Sequence, residues 1–345
     1  MASIAEAGPM VAGGRDRALI RVWLYIVALM IVAIVVLGGA TRLTHSGLSI
    51  TEWQPIHGVI PPLNDGEWQD EFAKYQQIPE YRELNQSMTL DEFKGIFWWE
   101  FAHRIVARLI GAVVLLPMIF FWATGRLEPP LRPRMVAIFL LGGLQGAVGW
   151  WMVASGLSER ADVSQYRLAT HLTLACAILA YVLWVARSIA PAWRPTSPSV
   201  RVVAVVIVGL ALVQIALGGL VAGLDAGLTF NTWPVMDGTI VPSGLFGQEP
   251  WWRNLFENVA TVQFDHRVGA YVLFALALFH VWQARTSSAW LLMALVTAQA
   301  SLGIATLLNA VPVALGLAHQ LGSVIVLSAA VIHLRTMRAP LAIAG

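Results

Sequence analysis

The chain has 345 residues, of which 57% are hydrophobic and 12% charged, and its mean hydropathy is +0.67. This composition is too apolar for an ordinary water-soluble domain and indicates a protein that spans a lipid membrane. A formal net charge of +2, with no basic run interleaved with aromatic residues, argues against a nucleic-acid partner. The single cysteine, Cys176, excludes an intramolecular disulfide and CxxC redox chemistry.

Eight apolar stretches are each long enough to cross a bilayer as a helix, which takes about 20 residues. They lie at residues 20–41, 98–124, 135–156, 165–188, 200–223, 259–284, 288–309 and 312–334. Arginines cluster at alternate ends of these stretches, and the positive-inside rule then predicts that both termini are cytoplasmic. A long acidic loop at 42–97 and a shorter loop near 224–258 are predicted to face the outer side.

The chain repeats itself at an offset of 180 residues. Nine residues between Leu37 and Pro62 are identical to their counterparts between Leu217 and Pro242. This duplication predicts an all-α integral membrane protein whose eight transmembrane helices form two pseudo-symmetric four-helix bundles. The predicted parts are a cytoplasmic N-terminal segment (1–19), a first half (20–188) with its outer loop (42–97), a cytoplasmic linker (189–199), a second half (200–334) and a cytoplasmic tail (335–345).

Four of the eight histidines lie near the outer ends of alternate spans, at matching positions in the two halves: His103, His171, His266 and His319. At the helical rise they lie roughly 7 to 12 Å below the outer surface. A histidine inside a membrane is costly and usually functional. Two facing imidazoles in a helical bundle suit haem iron, whereas zinc prefers three or four protein ligands. The pattern therefore predicts two haem sites, one in each half, with these histidines as the metal ligands.

Two further histidines, His280 and His333, each follow a predicted ligand by fourteen residues on the same helix. A second haem would lie at this depth in a two-haem cytochrome b. The first half carries Pro117 and Val185 at the matching positions, so the feature is not duplicated. The simpler interpretation is a pair of interfacial histidines near the cytoplasmic ends of their helices.

The two halves differ one turn before the first histidine, where the first half has Glu100 and the second has Gln263. An enzyme needs a proton acceptor at its reacting centre, whereas a symmetric electron carrier does not. We therefore predict that the first half is the active site, although a carboxylate at the membrane interface could also be merely solvated. Arg104 and Arg267 follow the ligands in both halves and are predicted to bind haem propionates.

Five segments of the chain resemble the haem A synthase family. They are GGATRLTHSGLSITEW at 38–53, EFAHR at 100–104, TH at 170–171, FDHR at 264–267 and AHQ at 318–320. The chain is similar to the cysteine-free branch found in proteobacteria and mitochondria. The resemblance implies an oxidoreductase that converts the methyl group of haem O to the formyl group of haem A by successive hydroxylations, for use by cytochrome oxidase. The residue roles that it implies are haem O as substrate near His103 and His171, haem b on His266 and His319, and an essential carboxylate at Glu100.

The resemblance also implies a location and partners. The location is the bacterial inner membrane, with both haem sites toward the periplasmic side. The implied partners are a haem O synthase and cytochrome oxidase assembly factors, and self-association into a homo-oligomer is compatible with the pattern. The residues alone leave two alternatives open: a non-catalytic membrane cytochrome b that carries electrons from quinol, and a haem carrier. Glu100 favours the enzyme, and His280 with His333 favours the cytochrome.

Overall fold

The computed structural model describes residues 14–54, 58–158, 160–189 and 193–338. Parts of four predicted segments lie outside these ranges: residues 1–13 of the N-terminal segment, 55–57 and 159 of the first half, 190–192 of the linker and 339–345 of the tail. Among the described residues the secondary structure is helical, apart from an isolated antiparallel bridge between Met236 and Thr239.

The helices in chain order are α1 (Gly14–Leu43), α2 (Asp65–Tyr75), α3 (Pro79–Leu84), α4 (Leu90–Ala123), α5 (Arg132–Val153), α6 (Gln165–Ser188), α7 (Pro198–Gly223), α8 (Asn254–Glu257), α9 (Val259–Ala284), α10 (Ser287–Leu308) and α11 (Val313–Thr336). Short 3-10 turns lie at Ala226–Leu228 and Trp251–Arg253. Within the described ranges, all helices except α2, α3 and α8 are long and apolar enough to cross a membrane. The predicted all-α class with eight spans is therefore confirmed.

Two predicted helix starts differ clearly from the structure: α1 begins at Gly14 rather than residue 20, and α4 begins at Leu90 rather than near residue 98. A capping box explains the earlier start of α4. The Thr89 hydroxyl accepts a hydrogen bond from the Glu92 backbone N–H, and the Glu92 carboxylate accepts one from the Thr89 N–H. These bonds satisfy backbone donors that the first helical turn leaves free, so the helix begins in polar sequence that hydropathy does not detect.

Each half of the chain forms a ring of four spans. In the first half α1 packs on α4, α4 on α5, α5 on α6, and α6 on α1. In the second half α7, α9, α10 and α11 close a ring in the same order. The halves meet where α6 packs on α7 and α11, and where α1 packs on α11. This arrangement is consistent with the predicted pair of pseudo-symmetric bundles and places α4 diagonally opposite α6, and α9 diagonally opposite α11.

A polar cap covers one end of the first ring. It consists of α2, α3 and the first two turns of α4, and its core contains Trp68, Tyr75, Ile78, Phe93 and Phe97. We call this end, which also carries residues 224–258, the loop end, and the other end, where α1 begins, the arginine end. The N-cap residue Asn64 starts α2: its Oδ1 accepts a hydrogen bond from the Glu67 backbone N–H, and its side-chain amide donates one to the Glu67 carboxylate.

The cap buries one carboxyl group, Glu80 on α3, which is 3% exposed. Burial, with the negative charges of Asp162 and Glu100 nearby, raises the pKa of Glu80 to about 8. Burial also raises the pKa of its neighbour Tyr75, whose hydroxyl lies 3.4 Å from the Glu80 carboxyl. The folded cap therefore holds Glu80 in its protonated form at neutral pH.

We expect the cap to open more readily as the pH rises. The folded state holds the Glu80 proton to about pH 8, whereas the unfolded carboxyl loses it near its ordinary pKa of 4.5. Stability is therefore full below about pH 4.5 and falls as the pH rises toward 8, by up to about tenfold in the opening equilibrium per pH unit. Limited proteolysis of the 76–89 segment across this range measures the effect. Glu80→Gln should flatten the profile, and an unchanged profile in that variant would exclude Glu80 as its cause.

Candidate active site and cofactor site

The four predicted ligand histidines lie in two pairs, one across the diagonal of each ring. His266 on α9 and His319 on α11 have ring centroids 6.4 Å apart, with their planes at 77°. Because a bond from a metal to an imidazole nitrogen is about 2 Å long, an ion between two rings sets their centroids roughly 6 Å apart. The second pair therefore has the spacing of two ligands on one metal. His103 on α4 and His171 on α6 are close enough to interact electrostatically.

Each of these imidazoles lies against a glycine of a neighbouring helix. A Cβ atom built on that glycine would lie too close to the ring Cε1 atom. The distances are 2.9 Å for Gly38 and His103, 2.8 Å for Gly149 and His171, 3.2 Å for Gly218 and His266, and 2.7 Å for Gly303 and His319. Glycine at these four positions lets the Cε1 edge of each ring approach the next helix closely, so all four sites are built on one plan.

A glutamine one turn before the glycine contacts three of the four histidines. The amide nitrogens of Gln145, Gln214 and Gln299 each lie 3.1 Å from Nδ1 of His171, His266 and His319, respectively. Each amide also donates a hydrogen bond to the backbone carbonyl of the same histidine. A polar partner on the second ring nitrogen fixes the orientation of a metal-binding histidine. These glutamines were missed as site residues, although the Gln-x-x-x-Gly spacing recurs on three helices.

The fourth histidine, His103, lacks this partner. Ile34 occupies the position on α1 that matches Gln214 on α7. The Nδ1 atom of His103 is buried and makes no hydrogen bond within the described part of the chain. The glycine contact is thus repeated in all four sites, but the glutamine contact is repeated in only three.

Glu100 is buried, with 3% of its surface exposed, and both of its oxygens are engaged. Oε2 accepts hydrogen bonds from the Ser49 hydroxyl at 2.7 Å and from the Ile50 backbone N–H at 2.8 Å. Oε1 accepts two from the Arg104 guanidinium, at 2.6 and 3.1 Å. These four hydrogen bonds hold the carboxylate in one position. The structure therefore does not support the interpretation of Glu100 as a solvated interfacial group.

Gln263 occupies the equivalent place in the second half and is equally buried. Its amide nitrogen donates to the carbonyls of Ala226 and Thr229 at 2.7 and 2.6 Å, and its Oε1 accepts from Arg267 at 2.9 Å. In both halves this side chain bonds the segment that follows the first span (α1 or α7) to the second span (α4 or α9). The fastening is common to both halves, and the negative charge belongs to the first half alone.

The two predicted propionate-binding arginines are both bound to loop carbonyls. Arg104 donates to the carbonyls of Ile50 and Glu52 at 2.7 and 2.9 Å. Arg267 donates to those of Phe230 and Thr232 at 2.8 and 3.0 Å, which are the repeat counterparts. Their contact with propionates stays a prediction.

His280 and His333 form a buried pair across the second ring, near the ends of α9 and α11, and are 0% and 3% exposed. Their Nε2 atoms are 2.7 Å apart, and Nδ1 of His333 lies 2.9 Å from the Ser288 hydroxyl. Two nitrogens that share a metal ion lie about 4 Å apart, since each metal–nitrogen bond is about 2 Å. The pair is therefore closed by a direct hydrogen bond and has no room for iron, which removes the observation that favoured a two-haem cytochrome.

The fold and these side chains together define an integral membrane protein with two matching histidine pairs at one end of its helices. A family model described as cytochrome oxidase assembly protein (COX15-CtaA) matches residues 21–331. The chain is 60% identical over 336 residues to a protein of Chelativorans sp. (strain BNC1) named Heme A synthase, covering 95% of this chain and 93% of that protein.

Two further relatives carry the same name. One, from Mesorhizobium japonicum, is 58% identical over 347 residues, with 97% of this chain and 96% of the relative covered. The other, from Brucella ovis, is 57% identical over 333 residues, with 94% and 93% covered. The chain therefore belongs to the COX15-CtaA family, the family of the haem A synthases.

Proposed function

We propose that the chain is an oxidoreductase that oxidises the methyl group of haem O to the formyl group of haem A, by successive hydroxylations, to supply cytochrome oxidase. The names of relatives at 57–60% identity over nearly the whole chain support this activity. The observation that carries it in the molecule is Glu100, a buried carboxylate one turn from His103 that has only an amide as its counterpart.

In this proposal the second half, residues 200–334, holds a resident haem b. Its support is the 6.4 Å separation of the His266 and His319 rings, the glycines that admit them and the apolar helices around them. The Oε1 atoms of Gln214 and Gln299 are buried without a described partner, so either amide can turn to accept the Nδ1–H of a histidine that binds iron through Nε2. When bound, this haem supplies one-electron transfer.

The first half, residues 20–188, binds haem O as the substrate between His103 and His171. Glu100 lies one turn before His103 on the same helix, and Arg104 holds its carboxylate in place. A fixed negative charge in surroundings of low dielectric constant stabilises positive charge that develops on an oxidised methyl group. A carboxylate is also a base that accepts a proton released in the oxidation. Glu100, His103 and His171 are therefore the proposed catalytic residues.

The proposed orientation puts both termini in the cytoplasm and both histidine pairs toward the periplasm of the bacterial inner membrane. Its support is the arginine end, which carries many arginines and only two described acidic residues, Asp16 and Glu128. By the positive-inside rule this end faces the cytoplasm. The proposed partners are a haem O synthase, which makes the substrate, and cytochrome oxidase assembly factors, and the chain is proposed to associate into a homo-oligomer.

The test is the haem content of the purified protein after co-expression with a haem O synthase. Haems are extracted and separated by chromatography. We expect haem A or its hydroxylated precursor together with haem B. Recovery of haem B and unreacted haem O alone would contradict the proposal and favour a non-catalytic cytochrome or a haem carrier.

A further inference from the structure

The three glutamine contacts divide the four predicted ligands unequally between the two haem sites. In the second half both histidines are held, by Gln214 and Gln299. In the first half His171 is held by Gln145, but His103 is not held. This inequality is separate from the contrast between Glu100 and Gln263, because Ile34 lies on α1 and Glu100 lies on α4.

When the glutamine amide is turned so that its oxygen accepts the Nδ1–H, the hydrogen bond does two things for a histidine that binds metal through Nε2. It fixes the rotation of the ring, and it makes the ring a stronger electron donor to the metal. The amides of Gln145, Gln214 and Gln299 lie 3.1 Å from Nδ1, and their Oε1 atoms have no described partner, so each amide can take that orientation. A histidine without this tie reorients at lower cost and binds its metal more weakly.

The packing of His103 differs from that of the other three histidines at Ile34. Gly38 lies against the His103 ring, with a built Cβ distance of 2.9 Å, as the matching glycines do in the other sites. One turn away, Ile34 presents an alkyl side chain that forms no hydrogen bond with the ring. The Nδ1 atom of His103 is thereby left in apolar surroundings without a described partner, and a buried polar atom in that condition destabilises the position it occupies.

We infer that His103 is the labile ligand of the substrate site, and that Ile34 is the positioning residue that makes it so. A haem substrate in this site would be held more firmly by His171 than by His103, so substrate and product would exchange with the His103 ligand as the weaker of the two. The second site keeps its haem because both of its ligands are tied. This inference rests on the proposed ligation of haem by the four histidines.

The experiment adds the missing hydrogen bond. Ile34→Gln recreates on α1 the Gln-x-x-x-Gly spacing of the other three sites, and Ile34→Met supplies a side chain of similar length without an amide. Carbon monoxide, which needs an open position on ferrous iron, is the probe, and its association is followed optically in the purified haem-loaded protein. We expect Ile34→Gln to slow carbon monoxide binding at the first site roughly fivefold, the effect of one buried hydrogen bond, and Ile34→Met to leave it unchanged.

The reciprocal change is Gln214→Met in the second half, which should speed carbon monoxide binding at the haem b site by a similar factor. Equal rates in the wild type and Ile34→Gln, with both haems present, would overturn the inference and leave the proposed function intact. Failure of the proposed function has another signature: His103→Ala would then leave the haem spectrum unchanged, which would also remove the inference. A slow rate in both Ile34 variants would indicate steric blocking and would likewise overturn it.

Discussion

Glu100→Gln is expected to leave both haem sites occupied and to lower formyl formation by at least about 100-fold, the usual effect of removing a proton-transfer group. The substitution keeps the size of the side chain and an oxygen that can accept from Arg104, as Gln263 does from Arg267. It removes the charge that distinguishes the first site. The measurement is the ratio of haem A to haem O in extracts of cells that also express a haem O synthase.

The matched control is Gln263→Glu, which places a carboxylate in the second site and should leave substantial activity. Ser49→Ala is a second control, because it removes one hydrogen bond to Glu100 while leaving the charge and the Arg104 pair. If Glu100→Gln formed haem A at the wild-type rate, the first half would lose its assignment as the active site. Unchanged resistance of residues 44–54 to proteolysis in Glu100→Gln would show that this segment is still bonded to α4.

His266→Ala is expected to remove one of the two proposed haem equivalents, because His319 would then be the single remaining imidazole for the proposed haem b. His319→Ala should have the same effect. The haem-to-protein ratio and the low-temperature optical spectrum measure the loss. The haem that remains should respond to substitution of His103 or His171.

His280→Ala is the control for this prediction, since it removes a histidine from the same helix at the opposite end of the ring. Because His280 is paired with His333 at 2.7 Å with no space for a metal, its loss should leave both haem equivalents in place. If His280→Ala lost a haem equivalent and His266→Ala kept both, the haem ligands of the second half would lie at the arginine end and not at the loop end.

The spans were predictable because lipid imposes a length and an apolar composition that the sequence displays directly. The observed boundaries of α6, Gln165–Ser188, and α9, Val259–Ala284, coincide with the predicted ranges. The start of α4 was not predictable from hydropathy, because the Thr89 and Glu92 capping box acts through hydrogen bonds in a polar segment.

The candidate histidine pairs were also predictable, since duplication marks His103, His171, His266 and His319 as equivalent. Their glutamine contacts were not, because they depend on how two helices are rotated against each other. The direct hydrogen bond between His280 and His333 was not predicted for the same reason: the two residues are 53 positions apart and meet across the ring, and no local pattern reports that distance.

The contacts between the two halves have a consequence for how such a molecule arises. Gly39 on α1 lies against Gln320 on α11, and Gly219 on α7 lies against Ala169 on α6. In each case a glycine of the first span of one half meets the last span of the other, which is the reciprocal contact of a two-fold symmetric dimer. The chain is therefore built like a dimer whose subunits have been joined end to end. Identical subunits must carry the same residue at equivalent positions, whereas a fused pair can hold a carboxylate at residue 100 and an amide at residue 263.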